Sequence, residues 1–264
     1  MKKYLLVIVL LVLGLTSQSQ VLITLLLGDK LNSPNLEFGL DGGVNWTKIS
    51  SMETSSFATK WNLGFYFDIR LKNQWWLYTG VLVKSNMGVD KLTDNDLDFL
   101  QAPVYEDSLG FKIPGTYRQK MNYFIVPALV QYKFKNNMYV EAGPQFGLMY
   151  KSWVEFEADV DGRDAIFKEY NKEKINKLDA GFTVGLGYTL FKGTGWTLGA
   201  KYYYGFVNVY KDRQGTKNSS IFLKVNIPIG AGEEAQKKAA EKAAKKKAKK
   251  EARKLEKEKK KSEK

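Results

Sequence analysis

Between Leu36 and Ile229 apolar residues recur at every second position, and the runs that keep this period are joined by connections that are alternately very short and long. A period of two sends successive side chains to opposite faces of an extended chain, which is the signature of a strand with one apolar face. In 122–134, Phe124, Val126, Ala128, Val130, Tyr132 and Phe134 share one phase, while Gln131 and Lys133 fall in the other. In 180–190, Ala180, Phe182, Val184, Leu186, Tyr188 and Leu190 alternate with Gly181, Thr183, Gly185, Gly187 and Thr189. Ile221, Leu223, Val225, Ile227 and Ile229 do the same against Ser220, Lys224 and Asn226. The pattern predicts eight strands, near 36–48, 59–71, 74–87, 117–135, 138–153, 179–191, 195–209 and 218–229. Lys72-Asn73, Asn136-Asn137 and Lys192-Gly193-Thr194 are connections of hairpin length; 49–58, 88–116, 154–178 and 210–217 are the long ones. Tight turns at one end and long loops at the other are the layout of an outer-membrane barrel, with the turns in the periplasm. The expected fold is all-β: an eight-stranded antiparallel up-and-down transmembrane β-barrel over 36–230, followed by a charged helical tail.

The tryptophans and the charges fit that layout. Trp46, Trp61, Trp75 and Trp196 stand at strand ends in the apolar phase, where an aromatic girdle would meet the membrane surfaces. Glu37, Asp41, Asp68, Arg70, Glu141, Lys201 and Lys224 stand mid-strand in the polar phase. The interior of an eight-stranded barrel is just wide enough to be filled by side chains. These seven are therefore expected to pair inside as a charged plug rather than to line a pore, with Gly181, Gly185 and Gly187 leaving room for long basic side chains. On that expectation Arg70→Leu strands its carboxylate partners, at about 3–5 kcal/mol. Periodicity alone does not say which face turns inward. The structural alternative is a soluble lipocalin-like periplasmic binder whose apolar phase lines a ligand cavity.

The chain has no Cys and no His. Disulfides, thiolate metal cages and cysteine nucleophiles are excluded, and so is Ser-His-Asp chemistry. We expect no enzymatic activity and no cofactor. The net charge of +13 suggests a nucleic-acid partner until it is placed: 15 of the 41 Lys and Arg lie in 233–264 beside seven acids, and the rest of the mature chain is nearly neutral. Met1-Lys2-Lys3, the apolar run Tyr4–Leu13 and the small residues Ser17 and Ser19 read as a secretory signal peptide over 1–19, followed by a lead-in over 20–35. Export to the envelope argues against nucleic acid. Residues 231–264, nearly all Lys, Ala and Glu, have high helix propensity and no apolar face. They are expected to form a solvated periplasmic tail that meets peptidoglycan carboxylates or an acidic periplasmic protein. No metal site is expected. Asp94, Asp96 and Asp98 alternate as in a calcium loop, but Phe99 and Tyr105 stand where an EF-hand needs Gly and Glu.

The segments 123–134 (YFIVPALVQYKF), 140–147 (VEAGPQFG), 181–190 (GFTVGLGYTL) and 202–206 (YYYGF) resemble, in order and spacing, the PorT-like outer-membrane β-barrel family of the Bacteroidota. The resemblance covers 36–229 and implies an eight-stranded barrel in the outer membrane, among its lipid and lipopolysaccharide. The namesake of that family is associated with protein secretion. The last strand departs from the aromatic ending usual in such barrels, finishing Ile227-Pro228-Ile229-Gly230. The functional expectation is a non-catalytic barrel with a structural, envelope-anchoring or assembly role. A small-solute porin and a component of a secretion apparatus are the rival functions.

Overall fold

The computed structural model describes residues 32–33, 35–54, 56–160, 163–190 and 195–229. The expected leader, the tail and the turn at 192–194 lie outside the described residues. Two compact units are formed, one of Leu40–Ile227 and one of the described parts of Met1–Gly39 and Pro228–Lys264. In the smaller unit Ser33 and Leu36 exchange backbone hydrogen bonds of 2.8 and 3.1 Å, and Ile229 N–H donates to the Phe38 carbonyl at 3.0 Å. Asn32 ties these pieces together, its Oδ1 accepting from Phe38 N–H at 2.7 Å and its Nδ2 donating to the Ile229 carbonyl.

Nine strands follow in chain order: β1 (Leu36–Ile49), β2 (Ala58–Lys72), β3 (Trp75–Val89), β4 (Thr116–Lys133), β5 (Met138–Val160), β6 (Arg163–Tyr170), β7 (Leu178–Thr189), β8 (Thr197–Asn208) and β9 (Lys217–Pro228). Helix α1 (Asp94–Leu100) lies between β3 and β4, and a single 3-10 turn (Lys172–Lys174) between β6 and β7. Hydrogen-bonded neighbours run β4-β3-β2-β1-β9-β8-β7-β5-β6, and β4 also pairs with β5. Eight strands thus close into a ring and β6 hangs from β5 outside it. At the tight turns Asn73 and Asn137 have φ of 52° and 67°, a left-handed conformation that asparagine tolerates better than most residues.

The expected strands recur within a few residues, with one difference of substance. Residues 154–178, expected as a solvated loop, continue β5 to Val160 and return as β6. The register between β4 and β5 slips between Asn122/Lys151 and Tyr123/Met149, leaving Tyr150 as an extra residue. Such a bulge reverses which phase faces inward. Below it Tyr139, Glu141, Gln145 and Met149 are buried; above it Ser152, Val154, Phe156 and Ala158 are. The expected strand ended near Trp153, just past the bulge.

The two faces of the ring settle the orientation that periodicity left open. Phe124, Val126 and Val130 of β4, Val140, Phe146 and Leu148 of β5 and Phe182, Val184 and Leu186 of β7 are exposed. Asp41, Asn62, Gln131, Glu141, Gln145, Lys201 and Lys224 are buried. Apolar outside and polar inside is the inverse of a water-soluble barrel, and it is what a lipid surround selects. The lipocalin-like alternative, with its apolar face inward, does not fit.

Candidate functional site

The interior is filled in two layers. The layer nearer the short turns is charged. Lys224 Nζ lies 3.0 Å from Glu141, with the two side chains 3% and 0% exposed. Gln131 Nε2 donates to Glu141 Oε2 at 2.7 Å. Lys224 also stands 3.8 Å above the centre of the Tyr78 ring, a cation–π contact. Tyr78 O–H donates to Asp41 Oδ2 and accepts from Asn226 Nδ2 at 3.2 Å. Lys133 and Asp68 form a second ion pair in this layer. Lys201 is buried, with Nζ 4.9 Å above the Phe222 ring and no side-chain hydrogen bond among the described residues.

Strand pairing explains how so many polar groups meet. Glu141 stands opposite Gln131 on β4 and opposite Gly185 on β7, so its carboxylate has a donor on one side and a residue without a side chain on the other. A Cβ at Gly185 would lie 2.8 Å from Glu141 Oε1 and 2.9 Å from Lys201 Cβ. Gly187 and Gly199 make room for an aromatic ring instead, since a Cβ at either would come within 2.5 and 2.3 Å of Tyr139 Oη. Gly181 does the same for the Tyr203 ring. The sequence expectation that these glycines house basic side chains therefore holds for Gly185, while Gly181 and Gly187 house tyrosines.

The second layer, nearer the loops, is largely apolar, with the buried polar groups Asn62, Ser85, Asp179 and Asn218 among its apolar side chains. Leu82, Met87, Met121, Tyr123, Ile125, Met149, Tyr203 and Phe222 fill the barrel and merge with Leu92, Leu97, Leu100, Tyr117, Phe156, Ile175 and Tyr210 above it. Helix α1 is the centre of this cap. Thr93 and Asp96 form a reciprocal capping box at its start. Asp96 is buried and reaches further: its carboxylate accepts from Glu53 N–H at 2.7 Å, Thr54 N–H at 3.0 Å and Thr93 N–H at 3.1 Å, which fastens the β1–β2 loop to α1. A polar knot holds the other side. Gln119 Oε1 accepts from Tyr210 O–H at 3.1 Å and from Asn171 Nδ2 at 2.8 Å, and Ser152 Oγ donates to Asn171 Oδ1 at 2.7 Å. Burial holds the Tyr210 phenol above the usual tyrosine range, with Tyr123 and Asp96 adding to the effect.

Five of the seven expected interior charges, Asp41, Asp68, Glu141, Lys201 and Lys224, are buried in the charged layer. Two are not among them. Arg70 is exposed at the β2–β3 turn, where its Nε donates to the Asn73 carbonyl at 3.1 Å and its guanidinium lies 5.9 Å from the centre of the Trp76 ring. Glu37 belongs to the smaller compact unit and is partly exposed. The acids considered for calcium also separate. On a helix, residues two apart point to different sides: Asp96 is committed to three backbone N–H groups, Asp94 pairs with Lys112, and Asp98 is exposed. Among the described residues no three acids gather to hold a metal. Tyr78, Tyr139, Gln131 and Lys133 were missed as partners of the charges. Their signal in the sequence is only that they share the inward phase.

Outside, Trp61 and Leu71 of β2 are both exposed and lie ten residues apart. At about 3.3 Å per residue and the usual tilt of about 40° they bracket a band ~25 Å tall. Trp61, under Lys84 Nζ at 4.1 Å, and the half-buried Trp46 lie toward the loop end of their strands. Trp75, edge-on to Tyr132 at 5.0 Å, and Trp196 lie at the turn end.

The profile of the family described as outer membrane protein beta-barrel domain matches residues 18–211. Among curated protein sequences none matches. Solved structures similar to the chain include Ail, the attachment invasion locus protein of Yersinia pestis, at 12% identity over 74% of this chain and 98% of that one, with a TM-score of 0.37. Neisserial surface protein A is similar at 11% identity, 74% and 98% coverage and a TM-score of 0.38. OprG of Pseudomonas aeruginosa is similar at 11% identity, 75% and 95% coverage and a TM-score of 0.31.

Proposed function

From the premise that the chain belongs to the outer membrane protein beta-barrel domain family, we propose that it is a closed, non-catalytic barrel with a structural or anchoring role, presenting an ordered cap outside the membrane. The observation that carries this reading is the continuity of the filling: the Lys224–Glu141 pair is nearly inaccessible, and one cluster of buried apolar side chains runs from mid-barrel into the cap. A solute would have to displace both layers. The rival reading as a small-solute porin requires a water path, and planar-bilayer recording decides between them. We expect no stepwise conductance from the folded protein; reproducible single-channel steps would overturn the closed-barrel reading.

Within the family we assign the chain to the PorT-like group of the Bacteroidota, on the four segments 123–134, 140–147, 181–190 and 202–206. The basic tail is proposed to lie in the periplasm and to contact peptidoglycan or an acidic envelope protein, on its charge alone. Removing 233–264 is expected to abolish sedimentation of the detergent-solubilised protein with isolated peptidoglycan. Retention of the truncated chain would remove the tail from that role. Co-purification with large envelope complexes would favour the secretion reading over simple anchoring.

A further inference from the structure

Strand β6 ends the hydrogen-bonded order, paired with β5 and with no second strand beside it among the described residues. Ile166, Phe167 and Tyr170 on it are 54%, 46% and 59% exposed. An open edge of this length with apolar side chains is a template for another strand. Its backbone parity is fixed by one bond: Asn171 N–H donates to the Ser152 carbonyl at 3.3 Å, one step past the pair Trp153↔Tyr170. Alternate residues of an antiparallel ladder turn their N–H and C=O toward the partner. Residues 165, 167 and 169 therefore serve β5, and Asp164, Ile166 and Lys168 turn theirs to the open side.

The sequence of that edge is complementary to itself. In Asp164-Ala165-Ile166-Phe167-Lys168, opposite charges stand two residues either side of Ile166. Against a second copy laid antiparallel about a two-fold axis at Ile166, Asp164 faces Lys168 twice, Ile166 faces its counterpart, and all three positions have free backbone groups. The same register sets residue 163, an arginine, opposite Glu169. A register centred on Phe167 instead sets Asp164 opposite Tyr170 and Ile166 opposite Lys168, losing the ion pairs. Asp164 also has reason to want a cation. It stands directly opposite Asp159 on β5, and like charges at paired positions are unfavourable. Lys168 has Glu155 opposite it on β5, so in the pair each Lys168 would stand between two carboxylates, Glu155 of its own chain and Asp164 of the second copy.

We propose that β6 is a homotypic docking edge, through which two copies of this chain join by antiparallel β6–β6 pairing centred on Ile166. The symmetry of the pair fixes how the barrels face. The last pair of β5 with β7 is Leu148↔Leu178, and the β5–β6 ladder continues beyond it, away from the short turns. The two-fold axis of an antiparallel strand pair runs perpendicular to the strands, so the two barrels point their loop ends at each other. Copies in one membrane share a direction. The pairing therefore links copies in facing membranes.

The test uses the full chain reconstituted in phosphatidylcholine vesicles, with clustering followed by light scattering. Wild-type vesicles are expected to cluster. Asp164→Lys and Lys168→Asp are each expected to slow clustering about tenfold, the effect of ~1.4 kcal/mol. Vesicles bearing one variant, mixed with vesicles bearing the other, should cluster at close to the wild-type rate, because the mixed register restores opposite charges. The absence of native Cys allows a second readout. Ile166→Cys lies on the axis, at a Cα separation of about 5.5 Å, within disulfide range, and is expected to oxidise to a dimer. Phe167→Cys, displaced from the axis, is not. A heat-dependent gel shift in detergent confirms that each variant retains its barrel. Wild-type vesicles that stay dispersed, charge variants that cluster normally, mixtures that behave like the single variants, or equal cross-linking of the two cysteine variants would each overturn the proposal.

Discussion

At the scale of single residues, the energy of the barrel interior is concentrated where charges are buried and paired. Lys224→Met leaves Glu141 buried with Gln131 as its remaining hydrogen-bond donor, and is expected to cost about 3–5 kcal/mol in denaturant unfolding from detergent. Replacing both partners, Lys224→Met with Glu141→Leu, should cost much less, because no uncompensated charge remains. Equal losses for the single and double variants would show that packing rather than charge is being measured. Arg70→Leu is the contrasting case. Its guanidinium is exposed and bonded to a turn carbonyl, so the expected loss is below about 1 kcal/mol. Gly199→Ala puts a methyl against Tyr139 Oη and should cost about 1–3 kcal/mol; adding Tyr139→Phe should recover part of it. Which inward positions carry charge was legible from phase alone for Asp41, Asp68, Glu141, Lys201 and Lys224. Arg70 was not, because a residue near a turn can leave the interior by its own length, and phase does not record distance from the strand end.

At the scale of elements, α1 and the β1–β2 loop are joined through one carboxylate. Asp96→Ala leaves three backbone N–H groups without their acceptor, at about 1–3 kcal/mol if they stay buried. The expected outcome is local: faster hydrogen exchange and proteolysis over 50–57 and 90–115, with the heat-dependent gel shift of the barrel unchanged. Loss of that shift would mean that the cap and the barrel fold as one unit. Tyr210 gives the cap a pH dependence. Its phenol is held above the ordinary range by burial, so the closed cap favours the neutral form. That contribution is complete below about pH 10 and is lost above it, as the phenol ionises in the open state. Cap opening, read by hydrogen exchange, should rise above pH 10 in the wild type and less steeply in Tyr210→Phe. A rise of the same steepness in both would assign it to other groups. The helix had a start signal in Thr93 and Asp96, yet alternating acids there also suggest a cation loop. The backbone N–H groups that decide between the two lie about forty residues away, at Glu53 and Thr54.

At the scale of the whole molecule, the barrel is filled by two layers, a charged one around the Lys224–Glu141 pair and a largely apolar one continuous with the cap. Replacing 93–113 with a short Gly-Ser linker removes α1 but leaves the Lys224–Glu141 pair in place, so no conductance is expected in planar bilayers. Combining that replacement with Lys224→Ala and Glu141→Ala should open a water path and give measurable current. Current from the cap replacement alone would show that the charged layer is leaky.

The sequence by itself determined an all-β barrel: the eight strands that close the ring, their short turns at one end, and an apolar phase on each, though not which phase faces lipid. These are local properties, written in a period of two and in chain punctuation, and strands report them wherever they finally pair. The tertiary structure decided what periodicity cannot hold. The bulge at Tyr150 inverts the phase of β5 just before the β5–β6 ladder begins. The stagger of neighbouring strands selects Tyr78 and Glu141 as the neighbours of Lys224 across the barrel. Both depend on register between segments far apart in the chain, and register is fixed by the closing of the whole ring rather than by any one strand.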